Sequence, residues 1–136
     1  MIYLDSAAIV KLVRSEPGST ELSDWLDTRS QAPLVSSALA EIEVSRTLRR
    51  NTPQALTGVP AVLGRVYRLE IDPVIRAMAA AYSDPNLRSP DAIHLATAQF
   101  IANERGNELE AFVTYDRRRL AAAEAVGLPT VSPGSN

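Results

Sequence analysis

The chain opens with the sequence MIYLDSAAIVKL at residues 1–12. Its first four residues favour a β-strand and lead into Asp5, and the apolar residues that follow have helical spacing. This pattern predicts a strand, a tight turn with Ser6 as helix N-cap, and a helix. Asp5 then lies at the carboxyl end of a buried strand, the edge where open α/β sheets bind ligands. Capping of the helix explains this carboxylate equally well, because negative charge near a helix N-terminus is stabilising.

The composition excludes several kinds of site. Hydrophobic residues make up 46% and charged residues 22% of the 136-residue chain, which is typical of a globular domain. The sequence has no cysteine for a disulfide, a thiolate site or a nucleophile, and its single histidine, His94, disfavours a histidine-rich zinc site. We find no membrane-spanning apolar run and no signal peptide, and therefore expect a cytoplasmic location. The net charge of −2 still allows a local basic surface.

Short apolar runs alternate with helical patterns along the chain. Further strands are predicted at residues 33–37, 67–71, 111–115 and 129–132. Helices are predicted at residues 21–26, 38–50, 73–82, 89–106 and 117–126, with residues 53–66 as one interrupted helix or two short ones. Leu39, Ile42 and Leu48 are expected to face the core. The alternation predicts one α/β domain over residues 1–136, a parallel sheet of about five short strands with helices on both faces.

Three aspartates stand where predicted helices begin. Asp5 and Asp116 follow strands, and Asp91 lies in the first turn of a mostly apolar helix with Ser89 as N-cap. Carboxylates that meet at one sheet edge repel one another, so a positive group should neutralise them. That group is either a hard divalent cation such as Mg²⁺ or Mn²⁺, or an arginine. A metal at this edge would activate water for attack on a phosphodiester.

Four segments of the chain resemble the PIN domain, and specifically the VapC toxins of bacterial toxin–antitoxin pairs. These segments are MIYLDS with Asp5, SSALAEIEVSRTL with Glu43, SPDAIHLATA with Asp91 and FVTYDRR with Asp116. The resemblance implies an endoribonuclease that depends on Mg²⁺ or Mn²⁺ and uses these four acids as catalytic and metal-coordinating residues. It also implies a VapB-type antitoxin whose C-terminal segment occupies the acidic groove, and a toxin homodimer or a toxin–antitoxin hetero-oligomer.

Two glutamates, Glu41 and Glu43, stand in the second of these segments, and residues two apart on a helix face different ways. We assign the family's acid to Glu43, because the family places its glutamate just before a V-x-R-x-L run, here residues 44–48. Glu41 is then expected to be a solvated surface charge. Ala7 departs from the family pattern, since many relatives have a second hydroxyl there.

The polar residues beside the acids have two interpretations each. Ser6 and Thr114 either order metal-bound water or act as helix caps and strand-end hydroxyls. His94 lies one turn after Asp91, and we expect it to be packed or hydrogen-bonded, with proton transfer as the alternative. Six arginines adjoin the acidic edge and are either phosphate contacts or solvated helix charges: Arg46, Arg49, Arg50, Arg117, Arg118 and Arg119.

Two other functions agree with parts of this pattern. A phosphatase or receiver-type protein also has an aspartate after its first strand, but no second acid follows Asp5 closely, as a D-x-D nucleophile requires. A non-catalytic module would bind nucleic acid or a partner, and its acidic groove would only receive arginines from another chain.

Overall fold

A five-stranded parallel sheet forms the centre of the computed structural model, which describes residues 1–106 and 108–135. The strands are β1 (Ile2–Leu4), β2 (Leu34–Ser37), β3 (Val66–Leu69), β4 (Ala111–Val113) and β5 (Thr130–Val131). Their order is β3-β2-β1-β4-β5, so the chain builds the sheet to one side of β1 and then to the other. The carboxyl end of β1 is therefore the topological switch point, where a crevice opens in folds of this kind. Asn107 and Asn136, which fall within the predicted domain, lie outside the described residues.

Seven α-helices and one 3₁₀ helix connect these strands in the described part of the chain. They are α1 (Ser6–Val13), α2 (Ser19–Asp27), α3 (Leu39–Asn51), the 3₁₀ helix (Pro53–Gly58), α4 (Val59–Leu63), α5 (Pro73–Ala81), α6 (Ser89–Asn103) and α7 (Arg117–Ala125). The predicted α/β class is confirmed, and residues 53–66 contain two short helices. None of the described helices has the length and apolar character needed to cross a membrane.

Three of the five predicted strands, at residues 67–71, 111–115 and 129–132, were too long at their carboxyl ends. The strand predicted at residues 111–115 ends at Val113, and the one predicted at 67–71 ends at Leu69. Val113 pairs with Leu4 of β1 and with Val131 of β5, and both of these partners are the last residues of their strands. Because the chain leaves β1 for α1 directly after Leu4, the β1–β4 ladder ends at this pair. The strand-like sequence pattern after Val113 continues without a partner in β1.

Two buried clusters hold the helices against opposite faces of the sheet. Ile2 and Leu4 pack on one face with Ile9 of α1, and Tyr3 packs on the other with Phe112 and Leu95. Successive residues of a strand point to opposite faces, so β1 contributes to both clusters. The helices consequently cover the sheet on both sides, as predicted.

One residue predicted to face the core lies on the surface. Ile42 of α3 is 58% exposed, whereas Ala40, Val44 and Leu48 are buried. The buried residues are four apart and form one stripe along the helix. Ile42 is two residues from two of them, so it points the opposite way.

Candidate active site

The acidic residues singled out in the sequence come together at the carboxyl end of β1. Asp5 follows β1 directly, Asp91 lies in the first turn of α6, and Asp116 immediately precedes α7. Glu43 reaches the same place from α3, where Ser6 donates a hydrogen bond to it. A cavity of about 270 Å³ opens beside them, and its lining includes Glu43, Asp116 and Ser6.

Asp5 both caps a helix and belongs to this acidic group. It is fully buried, and its Oδ1 accepts the Ala8 N–H at 2.9 Å, so Asp5 and not Ser6 is the N-cap of α1. Its Oδ2 accepts the Thr114 hydroxyl at 2.6 Å and Nη1 of Arg119 at 2.9 Å. Capping of α1 and a place in the acidic group are therefore compatible. Oδ1 caps the helix, and Oδ2 faces the group.

The two carboxylate oxygens of Asp91 also accept hydrogen bonds from different donors. Oδ1 accepts Nε and Nη2 of Arg119 at 2.9 and 2.6 Å, while Oδ2 accepts the backbone N–H of Arg88 at 3.3 Å. The second contact is the back-bond of a capping box, in which an acid three residues into the helix bonds the N-cap N–H. The prediction of Ser89 as N-cap was wrong, because α6 begins at Ser89 with Arg88 as N-cap.

Asp116 is the N-cap of α7. Its Oδ1 accepts the backbone N–H groups of Arg118 and Arg119 at 2.9 and 3.1 Å. Its own N–H donates to the hydroxyl oxygen of Thr114, which in turn donates to Asp5. Thr114 therefore links two of the acids and fixes their relative position.

A buried hydrogen-bond chain holds Glu43. Its Oε1 lies 2.6 Å from the Ser6 hydroxyl and 2.7 Å from Nε2 of His94, and Nδ1 of His94 lies 2.7 Å from the Tyr3 hydroxyl. Tyr3 and His94 are fully buried, and burial raises the pKa of Tyr3, so the phenol keeps its proton. We assign that proton to a bond with Nδ1, which leaves Nε2–H to donate to Glu43. The expectation that His94 is hydrogen-bonded is confirmed.

The same contacts make Glu43 an ionised carboxylate. Partial burial alone would raise the pKa of Glu43, but the hydrogen bonds from His94 and Ser6 outweigh it and hold the pKa below its usual range. Glu41, the other glutamate of this segment, lies outside the site and pairs with Arg68 at the surface.

Sequence analysis did not assign a role to Tyr3. Its position in the sequence could have indicated one, because Tyr3 lies in the first strand of a parallel sheet. Such strands are buried on both faces, and a buried hydroxyl needs a hydrogen-bond partner. His94 is that partner, although it lies 91 residues away in the sequence.

We predict that Tyr3→Phe lowers the free energy of unfolding by about 1–3 kcal/mol, because it leaves Nδ1 of buried His94 without a donor. Urea unfolding of the variant and the unsubstituted protein tests this. The matched control is Tyr67→Phe, since Tyr67 is 77% exposed. Equal losses in the two variants would show that the hydrogen bond to His94 is not responsible.

The donor set suits a hard divalent cation. It consists of carboxylate oxygens with the Ser6 and Thr114 hydroxyls beside them, the chemistry that Mg²⁺ and Mn²⁺ prefer. The buried guanidinium of Arg119 pairs with two of the four acids, Asp5 and Asp91, so negative charge is in excess. Although the acids share this end of the sheet, no three acids or histidines within residues 1–106 and 108–135 lie close enough together to hold a metal ion. Arg119 occupies the space between Asp5 and Asp91 instead.

The arginines near the site differ in their exposure. Arg46, Arg49 and Arg50 are exposed on α3 and together line a shallow depression. Arg117 and Arg118 are exposed on α7, whereas only 8% of Arg119 is exposed. Arg119 therefore does not belong to a phosphate-binding surface in this structure.

Comparison with known proteins identifies the family of the chain. The sequence profile described as PIN domain matches residues 2–126. Ribonuclease VapC35 of Mycobacterium tuberculosis is 53% identical over 134 residues, which are 98% of each chain, and ribonuclease VapC46 is 41% identical over 132 residues, 97% of each. The crystal structure of Mycobacterium tuberculosis VapC20, a toxin described as cleaving the sarcin-ricin loop, superposes with a TM-score of 0.74 at 15% identity and covers 98% of this chain and 100% of its own. At that identity the structural match supports the fold alone.

Proposed function

Since the chain belongs to the PIN-domain family, we propose that it is the VapC-type toxin of a toxin–antitoxin pair and acts as a metal-dependent endoribonuclease. The observation that carries this proposal is the meeting of four acids from separate parts of the chain at the carboxyl end of the central strand. They are Asp5, Glu43, Asp91 and Asp116, the four acids of the segments that resemble the PIN domain.

We propose Mg²⁺ as the cofactor, with Mn²⁺ as a substitute, held by these four acids directly or through water. When bound, such a metal polarises the phosphodiester and lowers the pKa of a bound water. The residues of the chain orient the acids: Thr114 and the cap to Ala8 fix Asp5, and Ser6 and His94 fix Glu43. Because Glu43 is ionised, it is able to accept a proton from an attacking water.

We propose that Arg46 and Arg50 extend the site into a path for the RNA backbone. Glu43, Arg46 and Arg50 are three and four residues apart along α3, so they lie on one side of that helix. Arginines in such a row bind phosphates without reading sequence, and they make affinity sensitive to salt.

The double substitution Arg46→Gln/Arg50→Gln should weaken RNA binding and flatten its dependence on salt. Each phosphate contact with single-stranded nucleic acid contributes about 0.7 to the slope of log affinity against log salt, so a loss of about 1.4 is expected. Fluorescence anisotropy with labelled RNA in EDTA measures both quantities. Arg65→Gln/Arg105→Gln is the control, because Arg65 precedes β3 and Arg105 follows α6, at the opposite edge of the sheet. An equal change in this control would contradict the proposed path.

The proposal includes a VapB-type antitoxin and a toxin homodimer or a toxin–antitoxin hetero-oligomer, as the resemblance implies. The excess of acids over Arg119 at the cavity supports a basic antitoxin segment, since cationic side chains would neutralise that excess.

Incubation of antitoxin-free protein with total cellular RNA tests the proposed activity. Discrete fragments are expected with Mg²⁺ or Mn²⁺, and none are expected with EDTA. Fragments that form equally in EDTA would contradict the metal dependence. The absence of cleavage by a folded protein that binds Mn²⁺ would favour the binding-module alternative.

A further inference from the structure

Arg119 differs from its two neighbours in the run Arg117-Arg118-Arg119. Its side chain is buried and donates three hydrogen bonds, one from Nη1 to Asp5 and two from Nε and Nη2 to Asp91. A guanidinium keeps its charge at every pH at which a protein is folded. A permanent cation therefore lies between two of the proposed metal ligands.

The start of α7 explains why this arginine, and not its neighbours, points inward. Asp116 accepts the backbone N–H groups of Arg118 and Arg119, which fixes the first turn of the helix. Consecutive helical residues point about 100° apart, so only one of three successive arginines can face Asp5. The other two are exposed.

Arg119 occupies the oxygens of Asp5 and Asp91 that a metal would need. The remaining oxygen of Asp5 caps α1 through the Ala8 N–H, and the remaining oxygen of Asp91 bonds the Arg88 N–H at the start of α6. Taking either of these oxygens would remove a helix cap. A metal that binds Asp5 and Asp91 must therefore compete with Arg119 for Oδ2 of Asp5 and Oδ1 of Asp91.

The guanidinium has opposite effects in the two states of the site. Without a metal it stabilises the fold, because buried carboxylates without a cation are strongly unfavourable. Burial alone would lower the pKa of Arg119, but Asp5 and Asp91 outweigh it and raise the pKa. With a metal the same charge is repulsive, since two cations a few ångströms apart in a partly buried site destabilise each other.

We propose that Arg119 is the resident counterion of this site, which pairs Asp5 with Asp91 in the metal-free protein and must leave their oxygens for the divalent metal to bind. Arg119 thereby sets the metal affinity, and it acts as a positioning residue through the two aspartates. The inference rests on the proposed metal dependence.

Calorimetric titration with Mn²⁺ tests this inference without an activity assay. Arg119→Met should bind Mn²⁺ at least about tenfold more tightly than the unsubstituted chain, because the competing charge is removed. Arg118→Met is the matched control, since it removes the same charge from an exposed position of the same helix. Its Mn²⁺ affinity should change by less than about twofold, because solvent and salt screen an exposed charge.

Arg119→Lys keeps the test decisive if Arg119→Met does not fold without metal. Lysine retains the charge but lacks the planar fork that bridges two carboxylates. The Mn²⁺ affinity of Arg119→Lys should therefore lie between those of the unsubstituted chain and Arg119→Met. The rise in melting temperature on adding Mn²⁺ should follow the same order.

Equal or weaker Mn²⁺ binding by both Arg119 variants would overturn the counterion inference and leave the proposed ribonuclease intact. Absence of Mn²⁺ binding in every protein, the unsubstituted chain included, would overturn the metal dependence and this inference together.

Discussion

Asp91→Asn is expected to lower RNA cleavage at least about a hundredfold, the upper range for removal of a residue that only supports a metal ligand. Asparagine keeps the shape of the side chain but removes the charge that a divalent cation requires. Its carbonyl oxygen can still accept both hydrogen bonds from Arg119, and Asp5 keeps a negative charge beside that guanidinium. The losses are one charge of the ion pair and the long contact with the Arg88 N–H, at 3.3 Å. The variant should therefore remain folded, which circular dichroism and thermal melting check beside the cleavage assay.

Asp91 is a better position for this test than Asp5. Both oxygens of Asp5 accept hydrogen bonds, from Ala8 on one side and from Thr114 and Arg119 on the other. An asparagine there would direct its own amide N–H groups at one of these donors, so a loss of cleavage would be confounded with a loss of stability.

Glu41→Gln is the matched control for charge removal, because Glu41 lies on α3 and pairs with Arg68 away from the cavity. Cleavage should be unchanged in this variant and strongly reduced in Glu43→Gln. A folded Asp91→Asn protein with undiminished cleavage would contradict the proposed acidic quartet. The reverse result for the two glutamates would show that Glu41 is the family's acid.

Arg119→Met is expected to lower the free energy of unfolding of the metal-free protein by about 3–5 kcal/mol. The substitution leaves Asp5 and Asp91, which are 0% and 4% exposed, without their shared cation. Urea unfolding in EDTA measures the loss. The effect should be much larger than that of a surface ion pair, which contributes about 0–1 kcal/mol.

Arg118→Met provides the comparison for stability as well and should change it by no more than about 0.5 kcal/mol. The double variant Asp91→Asn/Arg119→Met should lose less than the sum of the single losses, since the two residues form one ion pair. A loss below about 1 kcal/mol for Arg119→Met would mean that water already compensates the two aspartates.

Much of the fold was predictable because hydrophobic periodicity is a local property of the sequence. The opening residues predicted strand, turn and helix, and the alternation that follows predicted a parallel sheet with helices on both faces; both predictions are confirmed. Three of the acids were recognisable because each stands at the start of a predicted helix. The ends of strands were predicted less well, since β4 ends where its neighbours end and not where its own apolar residues do.

The first residues of the helices were also predicted less well than the helices themselves. Ser6 and Ser89 have the side chains that favour N-caps, yet α1 is capped by Asp5 and α6 begins after Arg88. For α1 the capping residue depends on where β1 leaves the sheet, and that position is set by the pairing of β1 with β2 and β4.

From the sequence it followed that acids gather at the carboxyl end of β1 and that a positive group must accompany them. Whether that group was a metal or an arginine stayed open, because charge balance accepts either. The tertiary structure decided that Arg119 pairs with Asp5 and Asp91 and that Tyr3 and His94 support Glu43. The sequence does not distinguish three adjacent arginines, and only the packing of α7 against α6, near the carboxyl end of β1, determines which of them reaches the buried aspartates.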